Sequence, residues 1–402
     1  MLETLKKFGL LSVLYFSQGL PFGFFTQALP VLLRKEEVSL PLIGFSSFLA
    51  LPWGVKFLWA PLLDRYYHPR FGRRRSWLVP LQLLSALLLA SLALADPGSA
   101  ILWLVVGTLL TNFLAATQDV ATDGLAVSLL DDHERCFGNG IQVGGYRVGM
   151  IVGGFGLLYV FYVAGWRPPF LIMAVLLGLS TIPVLLFRER DAFVEESRVR
   201  VRDFFDLFRA PGMGLWIGAI FLFKFGDSFS SGMLKPYLVD QGFEIDEIAT
   251  LLGGVGFVTG LVGALAGGAL VPFVGRTRAL LVFGVLEALA LAFYAVPASG
   301  VGGRLTLYLA VGIEHLSGGM ATVALFTMMM DRSRPSVGGS DYTLQASVVV
   351  ISSGIAAGLS GISAENIGYS AHFLLAGVLA ALVLPFMVYA ARGSEEASRG
   401  GN

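Results

Sequence analysis

Twelve stretches of about 20 to 30 mostly apolar residues follow one another along this chain, each long enough to carry a helix across a hydrocarbon core about 30 Å thick. They lie near residues 8–33, 40–63, 77–95, 100–130, 138–164, 167–187, 214–239, 246–272, 279–297, 304–330, 341–362 and 370–391. Inside a bilayer every backbone N–H and C=O must be satisfied without water, and a single segment can do this only as a helix. The expected fold class is therefore an all-α integral membrane protein with twelve transmembrane helices. Composition points the same way. Only 14% of the 402 residues are charged, against about 25% in soluble domains, and 50 glycines supply small surfaces on which helices approach in lipid. The first stretch follows Lys6 and Lys7, but it is too long for a signal peptide and no small-residue cleavage site follows it, so it is expected to remain as the first helix.

Lysines and arginines orient the helices, because cytoplasmic loops retain them. With the N-terminus inside, twenty of the 28 basic residues fall on the cytoplasmic side. Arg34, Lys35, Arg167 and Arg304 fall outside, and Lys56, Arg147, Lys224 and Lys235 lie within segments. Both termini are then cytoplasmic. The longest polar connection, "RERDAFVEESRVRVRDFFDLFRAPG", carries six basic and six acidic residues between Arg188 and Arg209 and divides the helices six and six. The expected organisation is an N-terminal six-helix bundle over 1–187, a cytoplasmic linker over 188–213 and a C-terminal six-helix bundle over 214–402. A Gly-Arg turn recurs after the second and eighth segments, in "DRYYHPRFGRRR" at 64–75 and "GGALVPFVGRTR" at 267–278. Two related halves suit a transporter with its substrate site at their interface. The net charge of zero leaves no footprint for nucleic acid, and the lone Cys136 rules out an intramolecular disulfide.

A charge near the bilayer centre costs at least about 2.5–3.5 kcal/mol, so each embedded carboxylate needs a partner or a task. Asp119 and Asp123, in "TQDVATDGLA", are four residues apart and share one helix face at about 6 Å. Asp123 lies roughly 12 Å from the inner end of helix four at 1.5 Å per residue, and Arg147 sits at a matching depth in helix five. Two readings follow. One is a buried Asp–Arg bridge that fixes the two helices, with Gln118 and Gln142 completing it; the other is a carboxylate that exchanges Arg147 for a proton as its surroundings alternate. Asp119, Asp123 and Arg147 are accordingly the candidate proton-coupling residues.

In the second half Lys224 and Asp227, three apart, are placed to pair with each other, and Glu314 and His315 lie within helix ten. With Gln345, and with Gln18 and Gln27 around a break expected at Gly19-Leu20-Pro21, they form the candidate cavity for a polar, polyfunctional small molecule. Glu287, in helix nine, is expected to hydrogen-bond at a helix contact, and Lys56 to snorkel toward the cytoplasm. The four histidines show no metal-ligand spacing. No metal and no cofactor is expected.

The acid and Gly-Arg-Arg between helices two and three resemble the signature loop of the major facilitator superfamily, with a spacer lengthened by Tyr66 to Phe71. "GLP" at 19–21, "KFLWAPLLDRY" at 56–66, "GRRRSW" at 72–77, "TQDVATD" at 117–123 and "GYRVGM" at 145–150 resemble the AmpG branch, whose members include muropeptide permeases and relatives proposed to carry acetyl-CoA or siderophores. In the second half, "EHLSGGMATVALF" at 314–326 and "DYTLQASVVV" at 341–350 resemble instead the siderophore-uptake members. The resemblance implies the major facilitator fold, with helices one, four, seven and ten around a central cavity. It further implies proton-coupled import through the inner membrane of a muropeptide-type sugar-peptide or a ferric siderophore, and a gating loop of Asp64, Arg65, Gly72, Arg73, Arg74 and Arg75. Acetyl-CoA or another small solute is the alternative cargo.

No Gly-x-x-x-x-Gly-Lys-Ser/Thr string is present, so ATP is not the direct energy source. An ion gradient is the source that fits. Titratable carboxylates favour protons, with sodium as the other ion to test. Among different classes, an intramembrane aspartyl protease would want a Tyr-Asp pair that the chain lacks. A membrane acyltransferase would use an embedded histidine such as His315, and a passive channel would not require two halves around a charged centre. The expectation is a transporter and not an enzyme, a monomer whose partners are its solute, protons and the bilayer.

Overall fold

The computed structural model describes residues 2–29, 51–94, 101–187, 189 and 212–399. Arg34, Lys35, the first part of the second expected segment and most of the linker at 188–213 lie outside the described residues. Among those described there is no strand. In chain order the helices are α1 (Leu2–Gly23), α2 (Leu51–Val55, Lys56–Leu58 and Ala60–Arg65), α3 (Arg75–Ala93), α4 (Ile101–Leu129), α5 (Arg135–Ile151, continued by Leu157–Ala164) and α6 (Arg167–Leu186). They are followed by α7 (Met213–Phe223 and Phe225–Asp240), α8 (Ile245–Ala249, continued by Phe257–Val274), α9 (Arg276–Phe293), α10 (Gly303–Asp331), α11 (338–367) and α12 (369–399).

Nine stretches of the described residues are long and apolar enough to cross a membrane. One of them, Pro335–Ala391, holds two of the expected segments, because α11 and α12 run on from one another with a single interruption at Gly368. Its φ of 75° is a conformation that glycine adopts without a steric penalty. With α7, broken at Lys224, and α2, described from residue 51, these make the twelve-helix all-α architecture expected from segment length.

The break expected at Gly19-Leu20-Pro21 does not occur. α1 runs through Pro21 and widens only beyond it, in a π turn over Phe24–Ala28. The reason lies in its packing on α5, which carries its own π turn over Val152–Gly156. A methyl group placed on Gly23 would lie 2.1 Å from the Met150 carbonyl oxygen, and one on Gly153 would lie 1.8 Å from that of Leu20. Backbone therefore rests on backbone, the close approach that small residues permit in a membrane, and it holds α1 helical past its proline.

The described chain divides into two compact units. The first comprises Met1–Asp131, Gly144–Phe204 and Arg332–Leu344; the second comprises Asp132–Val143, Phe205–Asp331 and Gln345–Asn402. The first has an apolar centre of Leu20, Phe24, Leu89, Leu104 and Phe170. The second is centred on Leu238, Leu251, Tyr294, Val311 and Phe373. Each unit thus includes one segment, 332–344 or 132–143, that lies in sequence between two stretches of the other unit.

Candidate functional site

Two clusters of charge are buried, one in each unit. In the first, Lys56 of α2 meets the carboxylate of Asp119 on α4, with side chains only 3% and 11% exposed. One turn further along α4, Asp123 accepts a hydrogen bond from the Tyr15 hydroxyl of α1 at 3.0 Å. Lys56 is placed by a local irregularity: α2 tightens into a 3₁₀ turn over Lys56–Leu58, while the Lys56 ammonium lies 5.4 Å from the centre of the Trp53 ring, where a cation is attracted by the ring's negative face. The expectation that Lys56 snorkels to the cytoplasm is therefore corrected. A carboxylate within reach compensates the ammonium where it stands. Arg147 is half-buried on α5 and engaged; the partners that sequence spacing did not suggest are Lys56 and Tyr15.

Amides and hydroxyls tie this cluster to its neighbours. Gln118 and Gln82 donate to the Ser17 hydroxyl at 3.0 and 3.3 Å, and Gln18 donates to that of Thr122 at 2.7 Å, joining α1, α3 and α4. The Gln18 amide oxygen and that of Gln27, in the π turn of α1, are buried without a hydrogen-bond partner. Both offer acceptors to a donor that enters.

In the second unit Lys224 stands at the break of α7. Its ammonium contacts Asp227, as their spacing predicts, and lies 3.2 Å from Glu287 of α9. Glu287 is thus an ion-pair partner and not only a helix-contact group. Nearby on α10, Glu314 accepts from the Tyr294 hydroxyl at 3.3 Å and contacts the His315 ring. Gln345 lies on α11. It is fully buried, accepts from the Trp216 indole at 2.7 Å and donates to the Met329 carbonyl at 3.0 Å, so both ends of its amide are held by helices.

The loop between α2 and α3 forms a third constellation. Arg74 pairs with Asp64 at 2.7 Å, and Arg73 donates to the Asp64 carbonyl at 2.7 Å. The Arg75 guanidinium donates to the carbonyl of Leu185 at 2.8 Å. Gly72 has φ 92°, and a methyl group there would lie 2.0 Å from the Glu189 carboxylate, which in turn accepts the Arg74 backbone N–H at 3.0 Å. Burial pushes the Glu189 carboxyl up from its ordinary range, against the opposing pull of the Arg74 and Arg75 N–H groups. Asp64, itself buried, reaches the start of α11, where it accepts the backbone N–H of Ser340 at 2.8 Å and the Ser340 hydroxyl. A carboxylate at a helix N-terminus is stabilised by the peptide dipoles, typically by about 0.3–1 kcal/mol. Arg65 lies exposed at the end of α2, against the Tyr66 ring.

Asp131, His133 and Glu134 bring their ligand atoms within 4.8 Å of one another. Within this group Asp131 pairs with Lys7 at 3.1 Å.

Residues 11–357 match the family model described as Major Facilitator Superfamily. An anhydromuropeptide permease of Escherichia coli is 32% identical over 374 residues, spanning 91% of this chain and 76% of that protein. An uncharacterized protein of Haemophilus influenzae is 31% identical over 379 residues, spanning 89% and 88%. Among solved structures, the E. coli fucose:proton symporter superimposes with a TM-score of 0.73 at 14% identity, covering 95% of this chain and 98% of its own. A human organic anion transporter gives 0.71 at 13% identity, covering 96% and 99%. At such identities these two structures establish the fold alone.

Proposed function

This chain belongs to the major facilitator superfamily, in its AmpG-like branch, and from that premise we propose that it is a proton-coupled importer of anhydromuropeptide-type sugar-peptides. It is a multi-pass membrane protein and a secondary transporter, not an enzyme. In the proposed reading it works as a monomer in the inner membrane with both termini cytoplasmic, and bundles 1–187 and 214–402 alternate about the linker 188–213. The cargo reading is supported by the 32% identity to an anhydromuropeptide permease over nine-tenths of the chain.

The observation that supports the coupling is the pair of carboxylates on one face of α4: Asp119 meets Lys56, and Asp123, fully buried one turn further along, accepts from the Tyr15 hydroxyl. A buried carboxylate whose surroundings alternate can exchange a proton as they do. Asp123 is the proposed proton carrier, with Asp119 and Arg147 setting its affinity. The gating loop is assigned the cytoplasmic closure: while Asp64 caps α11 the inner side is shut, and release of Ser340 from Asp64 accompanies opening.

The test is uptake into proteoliposomes of an anhydromuropeptide under an imposed proton gradient. Accumulation that a protonophore abolishes is expected. Accumulation of a ferric siderophore in its place would overturn the cargo assignment, and insensitivity to the protonophore with dependence on sodium would overturn the coupling ion.

A further inference from the structure

Lys224, Asp227 and Glu287 have a charge problem that the transport reading does not use. Two carboxylates, one on α7 and one on α9, share a single ammonium, and among the described residues Lys224 is the cation that each of them meets. Glu287 is 4% exposed and Lys224 10%, while Asp227 is more open at 21%. The other polar group on Lys224 is the Thr322 hydroxyl of α10 at 3.4 Å, which is neutral. The titratable groups facing the triad from neighbouring elements are Glu314 and His315 on α10 and Tyr294 beyond the end of α9. Tyr294 and His315 both contact the Glu314 carboxylate. With both of its own carboxylates ionised, the triad would carry one net negative charge inside a membrane-embedded helix bundle, where an uncompensated charge is strongly disfavoured. One ammonium with one carboxylate and one carboxylic acid is neutral.

We propose that the Lys224–Asp227–Glu287 triad binds a proton of its own, shared between its two carboxyl groups, as a second protonation centre separate from Asp123. The step is a simple acid–base equilibrium: a carboxylate oxygen of Asp227 or Glu287 takes a proton from aqueous hydronium, whose O–H bond breaks to leave water, and on release the carboxyl O–H bond breaks and the proton returns to water. The break of α7 at Lys224 gives the change of charge a mechanical outlet, because the ammonium sits where the helix is already interrupted. A transport cycle that empties both centres would move two protons for each cargo molecule.

Infrared difference spectroscopy of the full chain in lipid, between acidic and alkaline buffer, reads protonated carboxyl groups directly through their carbonyl stretch and needs no cargo. Its outcome is therefore distinct from that of the uptake experiment. Glu287→Gln and Asp227→Asn are each expected to lose the signal of one carboxylic acid, because either amide leaves a one-to-one ion pair that has no need of the proton. Asp123→Asn should leave that signal in place. If Glu287→Gln fails to fold, Asp227→Asn, at the more exposed position, carries the test alone. Retention of the full wild-type carboxyl signal in the folded triad variants would overturn the proposal. A triad that lacks the signal in wild type, and is stabilised against heat by sodium chloride but not by potassium chloride, would equally overturn it in favour of a sodium site.

Discussion

The charge clusters of the two units share an element and differ in architecture. Each sets one lysine against buried carboxylates, and each has a tyrosine hydroxyl on an acid that the lysine does not meet: Tyr15 on Asp123 beside Asp119, and Tyr294 on Glu314 beside Asp227 and Glu287. In the first, both acids come from one face of α4 and the lysine comes from α2, 63 residues away in sequence. In the second, lysine and one acid are three residues apart on α7, and the other acid comes from α9. Both clusters set a lysine against buried acids while differing in which helices supply them, as the cost of an unpaired embedded charge requires. A low-dielectric interior sets how many charges are tolerated, whereas which helix supplies them is open.

Removing the lysines is the most severe way to break this comparison. Lys56→Met leaves Asp119 buried without its cation, and loss of one partner from a buried pair typically costs about 3–5 kcal/mol. Thermal unfolding in detergent should show Lys224→Met as at least as damaging as Lys56→Met, because it takes the cation from Glu287, 4% exposed, as well as from Asp227, whereas Lys56→Met strips Asp119 at 11%. A clearly milder loss in Lys224→Met would mean that Glu287 does not depend on Lys224. The next effect is on coupling. Asp123→Asn should abolish uphill accumulation while leaving exchange of cargo across the membrane, and wild-type accumulation in that variant would remove Asp123 from the proton path.

Gly72→Ala should cost about 1–2 kcal/mol, because φ 92° is strained for any residue with a Cβ, and the added methyl would also displace Glu189. Unchanged stability would place the loop's rigidity elsewhere. Asp64→Asn removes the charge from the start of α11 and should alter turnover more than cargo affinity; weakened affinity at wild-type turnover would contradict a gating role. The smallest effect is expected at Glu189. Its carboxyl is held above its ordinary range by burial, so the stability that goes with its protonated form is present in acid and fades as pH rises through the folded value. Glu189→Gln should therefore gain stability relative to wild type from acid to neutral pH, and thermal unfolding with no such trend would deny the linkage.

Much of the architecture was legible because a bilayer fixes helix length, so the segments could be read from apolar runs alone. Asp119 and Asp123 were legible for a related reason, since carboxylates in such runs stand out. Lys224 with Asp227 followed from their spacing on one helix. Lys56 was misjudged, and Glu287, rightly expected at a helix contact, was not matched to Lys224, because such partners depend on how separate helices rotate toward one another, which no local period records. Ser340 is 276 residues from Asp64, and no pattern near either residue announces the other. Pro21 was read as a break by its chemistry, but the glycine contact with α5 prevailed. Gln345 was grouped with the cavity as an embedded polar group, and no local pattern announces the Trp216 indole and the Met329 carbonyl that hold its amide.

The segment 332–344 packs within the first unit although some 200 residues separate it from Asp131. That has a consequence for biosynthesis. Chains lengthen at about 5–20 residues per second, so the first unit waits on the order of tens of seconds for its last piece after α4 has been made. Until then Asp64 and the arginines beside it face the position that α11 will occupy, and the nascent chain must be kept in the membrane with this surface uncovered. Completion of the first unit thus reports that the chain has been threaded as far as the start of α11.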